Sequence, residues 1–328
     1  MKFSIGIPAY NQGHYLRETL ESTLNQDQPF DEIVVSNNHS TDSTAAVIAE
    51  VQAKYPGRIR AVMPPEHLSM GANWNFVISQ MQGEWISLLS SDDLALPNFV
   101  TSMRRAIGLS DNAALAHAAW RDIDENGKTM GDHHLLTIAP VTKPPKTLYE
   151  LRFGPKGSFA AFALRRDIWE RVGGFPDKTF ILGGDWAMWL MATALGDMVY
   201  VDDIVSAYRY GHQTDVHRKR HHIHMRELFQ QYQVTMPRAM ELGGFEMPAW
   251  VATASRKRFR EALIQTSREY TLAERPQLIE SFRPWSEAVG EQKLFRRFEQ
   301  GEVLRRSPRD ALRPIAREWV VKLRRLRS

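Results

Sequence analysis

Trp85-Ile86-Ser87-Leu88-Leu89-Ser90-Ser91-Asp92-Asp93 is an apolar run that stops in four polar residues, the last two of them carboxylates. A run this short, with almost no alternation, predicts a strand buried on both faces. Two earlier runs have the same form: Phe3–Ile7 ends at Pro8, and Ile33-Val34-Val35 ends at Ser36. Between the runs the period changes. Tyr15, Leu16, Thr19, Leu20, Thr23 and Leu24 recur at helical spacing, which predicts a helix over residues 13–25. Asp42 reads as the N-cap of a second helix carrying Val47, Ile48, Val51 and Tyr55. Ile59–Met63 reads as strand and 71–82 as helix. Strands alternating with helices predict an α/β fold, a mostly parallel sheet flanked by helices. Such sheets bind ligands beyond the carboxyl ends of their strands. Pro8–Asn11, Ser36–Asp42 and Ser90–Asp93 should therefore meet along one edge.

Further along, Asn98–Leu109 reads as helix, Ala113–Trp120 as strand and Asp124–Lys128 as a turn. Residues 131–156 are proline-rich and read as a long loop. Phe159–Leu164 reads as strand, Arg166–Val172 as a helix stopped by Gly173-Gly174, and Asp185–Leu195 as another helix. After residue 212 the patterning is helical, which places a boundary at 212–225.

Composition narrows the chemistry. The 328 residues include no Cys, which excludes disulfides, thiolate metal sites and cysteine nucleophiles and fits a reducing compartment. The opening Met1–Pro8 is too short an apolar stretch for a signal peptide, and no run approaches a membrane span. No GxGxxG, P-loop or Gly-x-Ser-x-Gly pattern occurs. Charge is unevenly placed. Residues 251–328 hold 19 basic and 10 acidic side chains, net +9, and the first 250 residues hold 23 and 28, net −5. A mildly acidic body carries a basic tail, which suits a polyanionic partner.

Three stretches can carry chemistry. Asp92 and Asp93, directly after a buried strand, suit a hard cation such as Mg²⁺ or Mn²⁺ with substrate phosphate completing its shell; the plainer reading is a cap for the helix near Pro97. Ser36-Asn37-Asn38-His39-Ser40-Thr41-Asp42 suits hydrogen bonding to a base or ribose, or ordinary turn chemistry. Gly183-Gly184-Asp185-Trp186-Ala187-Met188-Trp189 opens an aromatic-rich helix with an acid. Asp185 there is either a general base beside an indole surface for a sugar ring, or an N-cap in front of a core helix. The histidines His217, His221 and His224 share a helical face, but Arg218, Lys219 and Arg220 among them oppose a metal ion.

Taken in order, Ile7-Pro8-Ala9-Tyr10-Asn11, Ser40-Thr41-Asp42, Ser90-Ser91-Asp92-Asp93 with Pro97, and Asp185 resemble the family 2 glycosyltransferases of GT-A fold. Gly71-Ala72-Asn73-Trp74-Asn75, Val172-Gly173-Gly174-Phe175 and Tyr208-Arg209-Tyr210-Gly211-His212 extend the resemblance to about residue 215. The resemblance implies a nucleotide-diphosphate sugar donor, a divalent cation, Mg²⁺ or Mn²⁺, and inversion at the anomeric carbon. It implies that Pro8, Tyr10, Asn11, Asn37, Asn38, Asn73 and Ser91 line the donor pocket. Asp92 becomes a donor-site metal ligand, with His212 as a further one. Asp185 becomes the catalytic base, Gly184 and Trp186 lie on the acceptor side, and Arg209 faces the phosphates. It divides the chain into a catalytic domain over 1–215, with a nucleotide half over 1–95 and an acceptor half over 96–215, and a helical region over 216–328. Two positions depart from the family pattern: Asn37 and Ser90 stand where it has Asp. They also leave open a catalytically weak sugar-nucleotide-binding scaffold.

The expected acceptor is a saccharide or lipid-linked saccharide in cell-surface polysaccharide or lipopolysaccharide synthesis. In residues 305–328, Ile315, Trp319, Leu323 and Leu326 form an apolar stripe among arginines. Such a helix suits an anionic membrane surface, hence a cytoplasmic protein peripheral at the inner face of the plasma membrane. The acidic body and the lack of a recognisable nucleic-acid module argue against nucleic acid as partner.

Overall fold

The computed structural model describes residues 1–135, 138–177, 183–210 and 227–305. They fall in two compact units, Met1–Val251 and Ala252–Ser328.

The first unit is built on one ten-stranded sheet. Its strands are β1 (Phe3–Ala9), β2 (Glu32–Asn37), β3 (Arg60–Val62), β4 (Trp85–Leu88), β5 (Leu94–Ala95), β6 (Ala113–Ile123), β7 (Thr129–His133), β8 (Val141–Thr142), β9 (Phe162–Arg165) and β10 (Asp197–Arg209). The main order is β3-β2-β1-β4-β9-β6-β10-β5, with β7 on β6 and β8 on β10. β3, β2, β1 and β4 are parallel, as the buried apolar runs require. β9 then enters antiparallel to both β4 and β6, which leaves β6 and β10 parallel to each other and to the first four strands. The carboxyl ends of β1, β2, β4, β6 and β10 therefore share one edge.

Helices α1 (Gly13–Leu24), α2 (Thr44–Lys54), α3 (Met70–Gln80), α4 (Phe99–Ile107), α5 (Lys146–Glu150), α6 (Arg166–Val172) and α7 (Gly184–Leu195) cover the sheet and fill its loops. Packing is tight where α3 crosses β1. A Cβ on Gly6 would come within 2.1 Å of Met81 Cε and 2.3 Å of Val77 Cγ1, so only glycine lets the helix approach. On the other face Phe3, Phe30 and Phe99 pack ring on ring, with centroids 5.4–6.3 Å apart. Each contributes about 1.5–3 kcal/mol by burial. Helix α6 ends as its sequence predicts, at Gly173 with φ 90°.

Two readings need revision. β10, thirteen residues long, is absent from the sequence reading because Asp202-Asp203 interrupts its apolar pattern. The structure absorbs both acids in register shifts between Val201 and Ser206. Asp203 accepts from Ser102 at 2.6 Å and Asp202 from His134 Nδ1 at 2.8 Å. Within the long loop at 131–156, β8 and α5 provide local order, with Leu148 and Leu151 buried. The two compact units meet in sequence at Val251/Ala252. Residues 227–230, a wide π-helical turn (Gln231–Thr235) and α8 (Met236–Gly243) belong to the first unit, where Met236, Ala239 and Met240 are buried and α8 packs on α7.

The second unit is helical: α9 (Ala249–Glu269), α10 (Pro276–Ala288) and α11 (Gln292–Glu299). Phe259, Phe282, Trp285 and Phe298 form its core. Arg275 is buried among them, donating to the carbonyls of Ser267, Tyr270 and Phe298 at 2.8–3.1 Å. The expected basic terminal helix lies, apart from Arg305, outside the described residues.

Candidate active site

Pro8 pairs with Ser36 and Ala9 with Asn37 across β1 and β2, so the two loops leave the sheet level with each other. Their polar side chains tie the loops together. Asn11, at φ 50°, accepts from Thr41 N at 2.8 Å, and its own N–H donates to Ser40 Oγ at 3.0 Å. Asn37 Oδ1 accepts from Ser40 N at 3.0 Å. Asn38 pairs with the backbone of Leu68 at both ends of its amide, 2.8 and 2.9 Å. Asn73, buried on α3, accepts from Ser36 Oγ at 2.8 Å. Asp42 sits one residue before the N-cap of α2, rather than at it. Its carboxylate accepts from Gly13 N and Thr44 N, both at 2.9 Å, and so joins the starts of two helices. Among these residues Tyr10 offers the open surface: it is 47% exposed, with its ring 4.6 Å from that of His67.

Beyond β4, Ser91, Asp92 and Asp93 are all buried. Asp93 Oδ1 accepts from Arg209 N at 2.8 Å, and Oδ2 has no hydrogen-bond partner among the described residues. Burial, and then the neighbouring Asp92 charge, push the Asp93 carboxyl well above the usual carboxylate range. Arg209 was expected to face donor phosphates; the structure turns it inward. Nε donates to Asp92 O at 2.8 Å, Nη1 to the Asp124 and Glu125 carbonyls at 3.3 and 3.1 Å, and Nη2 to Glu18 at 2.7 Å. The guanidinium also lies 4.5 Å from the Tyr15 ring. Its side chain is 1% exposed, so it clamps the Asp92-Asp93 loop from below. Beside it, burial and then the Asp93, Asp92 and Asp122 charges raise the Tyr208 hydroxyl above its ordinary value. Asp122 accepts from His133 Nε2 at 2.6 Å, and His133 stacks on Trp120 at 4.9 Å. This hairpin cluster is absent from the sequence reading, which saw there only a turn.

Gly184 and Asp185 open α7. Asp185 is half-buried and accepts from its neighbour Trp186 N at 2.6 Å. Loss of solvent, with the Glu227 carboxylate adding to it, raises its pKa to about 6. Trp186 is no sugar platform. It is buried, donates Nε1–H to Leu151 O at 2.8 Å, and meets Tyr232 edge-on. Trp189 is wholly buried against His117 and Phe162. A helix apolar all round is a core helix, and the run Trp186–Leu190 carried that signal. The loop in front of Asp185 is held by Glu227 and Gln231, which no sequence pattern marks.

His212 lies outside the described residues. Among the described residues no group of three or more His, Asp or Glu stands where it would hold a metal ion unaided. Asp92 and the unpartnered Asp93 Oδ2 are hard oxygen donors, which fits a Mg²⁺ or Mn²⁺ ion whose shell is completed by phosphate and water. No helix among the described residues is long and apolar enough to cross a membrane.

Known proteins resemble this chain in sequence or in fold. A glycosyltransferase of Rickettsia felis, itself uncharacterised, is 32% identical over 141 residues, 43% of this chain and 23% of its own length. The chain thus spans about a quarter of that relative. The S. aureus TarS fragment 1–349 with UDP-GlcNAc superposes with a TM-score of 0.65 at 17% identity, over 92% of this chain and 88% of that fragment. The mannosyltransferase PcManGT of Pyrobaculum calidifontis, with GDP-Man and Mn²⁺, superposes at 0.54 and 15% identity, over 90% and 85%. Both likenesses establish the GT-A fold. Residues 4–173 match glycosyl transferase family 2, slightly more than half the chain, and the protein belongs to that family.

Proposed function

We propose that the chain transfers a sugar, with inversion, from a nucleoside-diphosphate sugar to a hydroxyl of a saccharide or lipid-linked saccharide. The observation that carries this reading is Asp185: a half-buried carboxyl at a helix start, with its pKa at about 6, stands ready to take a proton near neutrality. The donor class is supported by the nucleotide-sugars found with TarS and PcManGT. Tyr10 offers its ring to the base, and Asn37 lines the pocket beside it. The Asp185 carboxylate accepts the acceptor hydroxyl proton. The acceptor oxygen bonds to the anomeric carbon, and the carbon–oxygen bond to the diphosphate breaks on the opposite face. The electron pair leaves with the diphosphate. Asp92 and Asp93, held in place by Arg209, would hold Mg²⁺ or Mn²⁺, which supplies charge compensation for a leaving diphosphate.

Calorimetry with UDP-GlcNAc, other UDP-sugars and GDP-mannose tests the donor site. Mg²⁺ or Mn²⁺ should strengthen binding, and Asp92→Ala should remove that gain; affinity independent of both metal and Asp92 counts against the assignment. The basic segment 305–328 is proposed to rest on an anionic bilayer, as its charge supports. Flotation with anionic liposomes should fall when that segment is deleted, and equal flotation removes the idea.

A further inference from the structure

Two polar side chains from far along the chain converge on the backbone of one residue, Gly183, in front of Asp185. Glu227 Oε2 accepts from Gly183 N at 2.9 Å, and Gln231 Nε2 donates to Gly183 O at 2.7 Å. They stand four residues apart, one helical turn, and are 3% and 1% exposed. Gln231 also begins the π-helical turn, a local widening that often marks functional positions. A buried carboxylate is costly unless it is engaged, and Gln231 leaves its own Oε1 without a partner among the described residues while gripping Gly183. The arrangement is more than a core needs.

We infer that Glu227 is a positioning residue for Asp185, fixing the Gly183 N–H ahead of α7 and setting a second negative charge near the Asp185 carboxylate. The inference rests on the reading of Asp185 as the base. A nearby like charge disfavours ionisation, so Glu227 helps keep Asp185 high enough to receive a proton. Among the described residues, several ionisable groups on the elements against α7 are engaged elsewhere. His117 on β6 meets Ala161 O, and the Tyr232 hydroxyl donates to Arg152 O. Arg152 lies over the Tyr149 ring beside α5, and Arg166 on α6 serves the Gly83 and Ile78 carbonyls. Tyr200 on β10 donates to Asp202, and Arg238 on α8 pairs with Glu241.

The test needs no substrate. In the full chain labelled with ¹³Cγ-aspartate, the resonance missing from Asp185→Asn identifies Asp185. It should titrate near pH 6 in the wild type. In Glu227→Gln, which keeps an acceptor for Gly183, the midpoint should fall by roughly half a pH unit or more. In Glu227→Ala, amide exchange at Gly183 should speed up, as it should in Gln231→Met. An unmoved Asp185 midpoint in folded Glu227→Gln overturns the charge role, and a Gly183 amide still protected in both other variants overturns the positioning role. If Asp185→Asn retains full transfer, the base reading fails by itself; the titration still reports whether Glu227 acts on Asp185.

Discussion

The loop after β4 and the start of α7 each hold a carboxyl that burial pushes upward, yet they are built in opposite ways. Asp93 sits wholly buried over Arg209, whose guanidinium is locked to three backbone carbonyls and to Glu18. Among the described residues Asp185 has no cationic partner, and it feels the Glu227 carboxylate instead. The first arrangement keeps a rigid acidic loop in one position, as suits holding charge on a bound group. The second keeps a carboxyl near the pH where it can exchange a proton. The difference shows that an upward shift alone does not identify a base; the partners that accompany it do.

The largest effect should come from removing the exchangeable proton site. Asp185→Asn should lower transfer roughly 10²–10⁴-fold and leave donor affinity unchanged, read by nucleotide release and by calorimetry. The wild-type rate should fall tenfold per pH unit below about 6, because the base must be ionised. Stability carries the opposite sign. A carboxyl raised above its unfolded value contributes stability that is full below the ordinary carboxylate pKa and lost as pH rises through the folded value. Melting of Asp185→Asn should therefore improve relative to wild type between pH 5 and pH 7, in the window set by the shift to about 6. A flat difference between the two pH values would dissolve the contrast between the sites.

Next in size, Arg209→Ala should destabilise the first unit by about 3 kcal/mol, by leaving buried carbonyls without their donor. Lysine should restore little, since it lacks the planar fork that reaches several acceptors at once. Thermal unfolding checks both variants. The smallest effect belongs to Trp186→Phe, which loses one hydrogen bond to Leu151 O and should cost about 1 kcal/mol. The donor and acceptor KM should not move. A large acceptor KM change would return Trp186 to the acceptor side.

Legibility followed distance along the chain. β1, β2 and β4 were readable because each is buried on both faces and so is apolar over most of its length. β10 was not, because a register shift ejects Asp202 and Asp203 into partnerships with Ser102 and His134 that no local pattern displays. At the site, the carboxylates were legible as polar residues directly following apolar runs. Their supports were not. Arg209 lies 116 residues from Asp93, and Glu227 lies 44 residues from Gly183. Asn38 and Asn73 looked like ligand contacts because amides suit both tasks, and only the packing of α3 and Leu68 against them revealed the structural one.

The sequence by itself determined the α/β class, the edge at which the loops gather and the acids that occupy it, because apolar periodicity and polar interruption are local properties of a chain. Tertiary structure alone decided that Arg209 turns inward, that Trp186 is core and that Glu227 stands behind Asp185. Those outcomes depend on which distant segments exclude water from a group and which donors reach it. Burial and partnership belong to the folded molecule, and they separate a carboxyl locked in a clamped loop from one placed to move a proton.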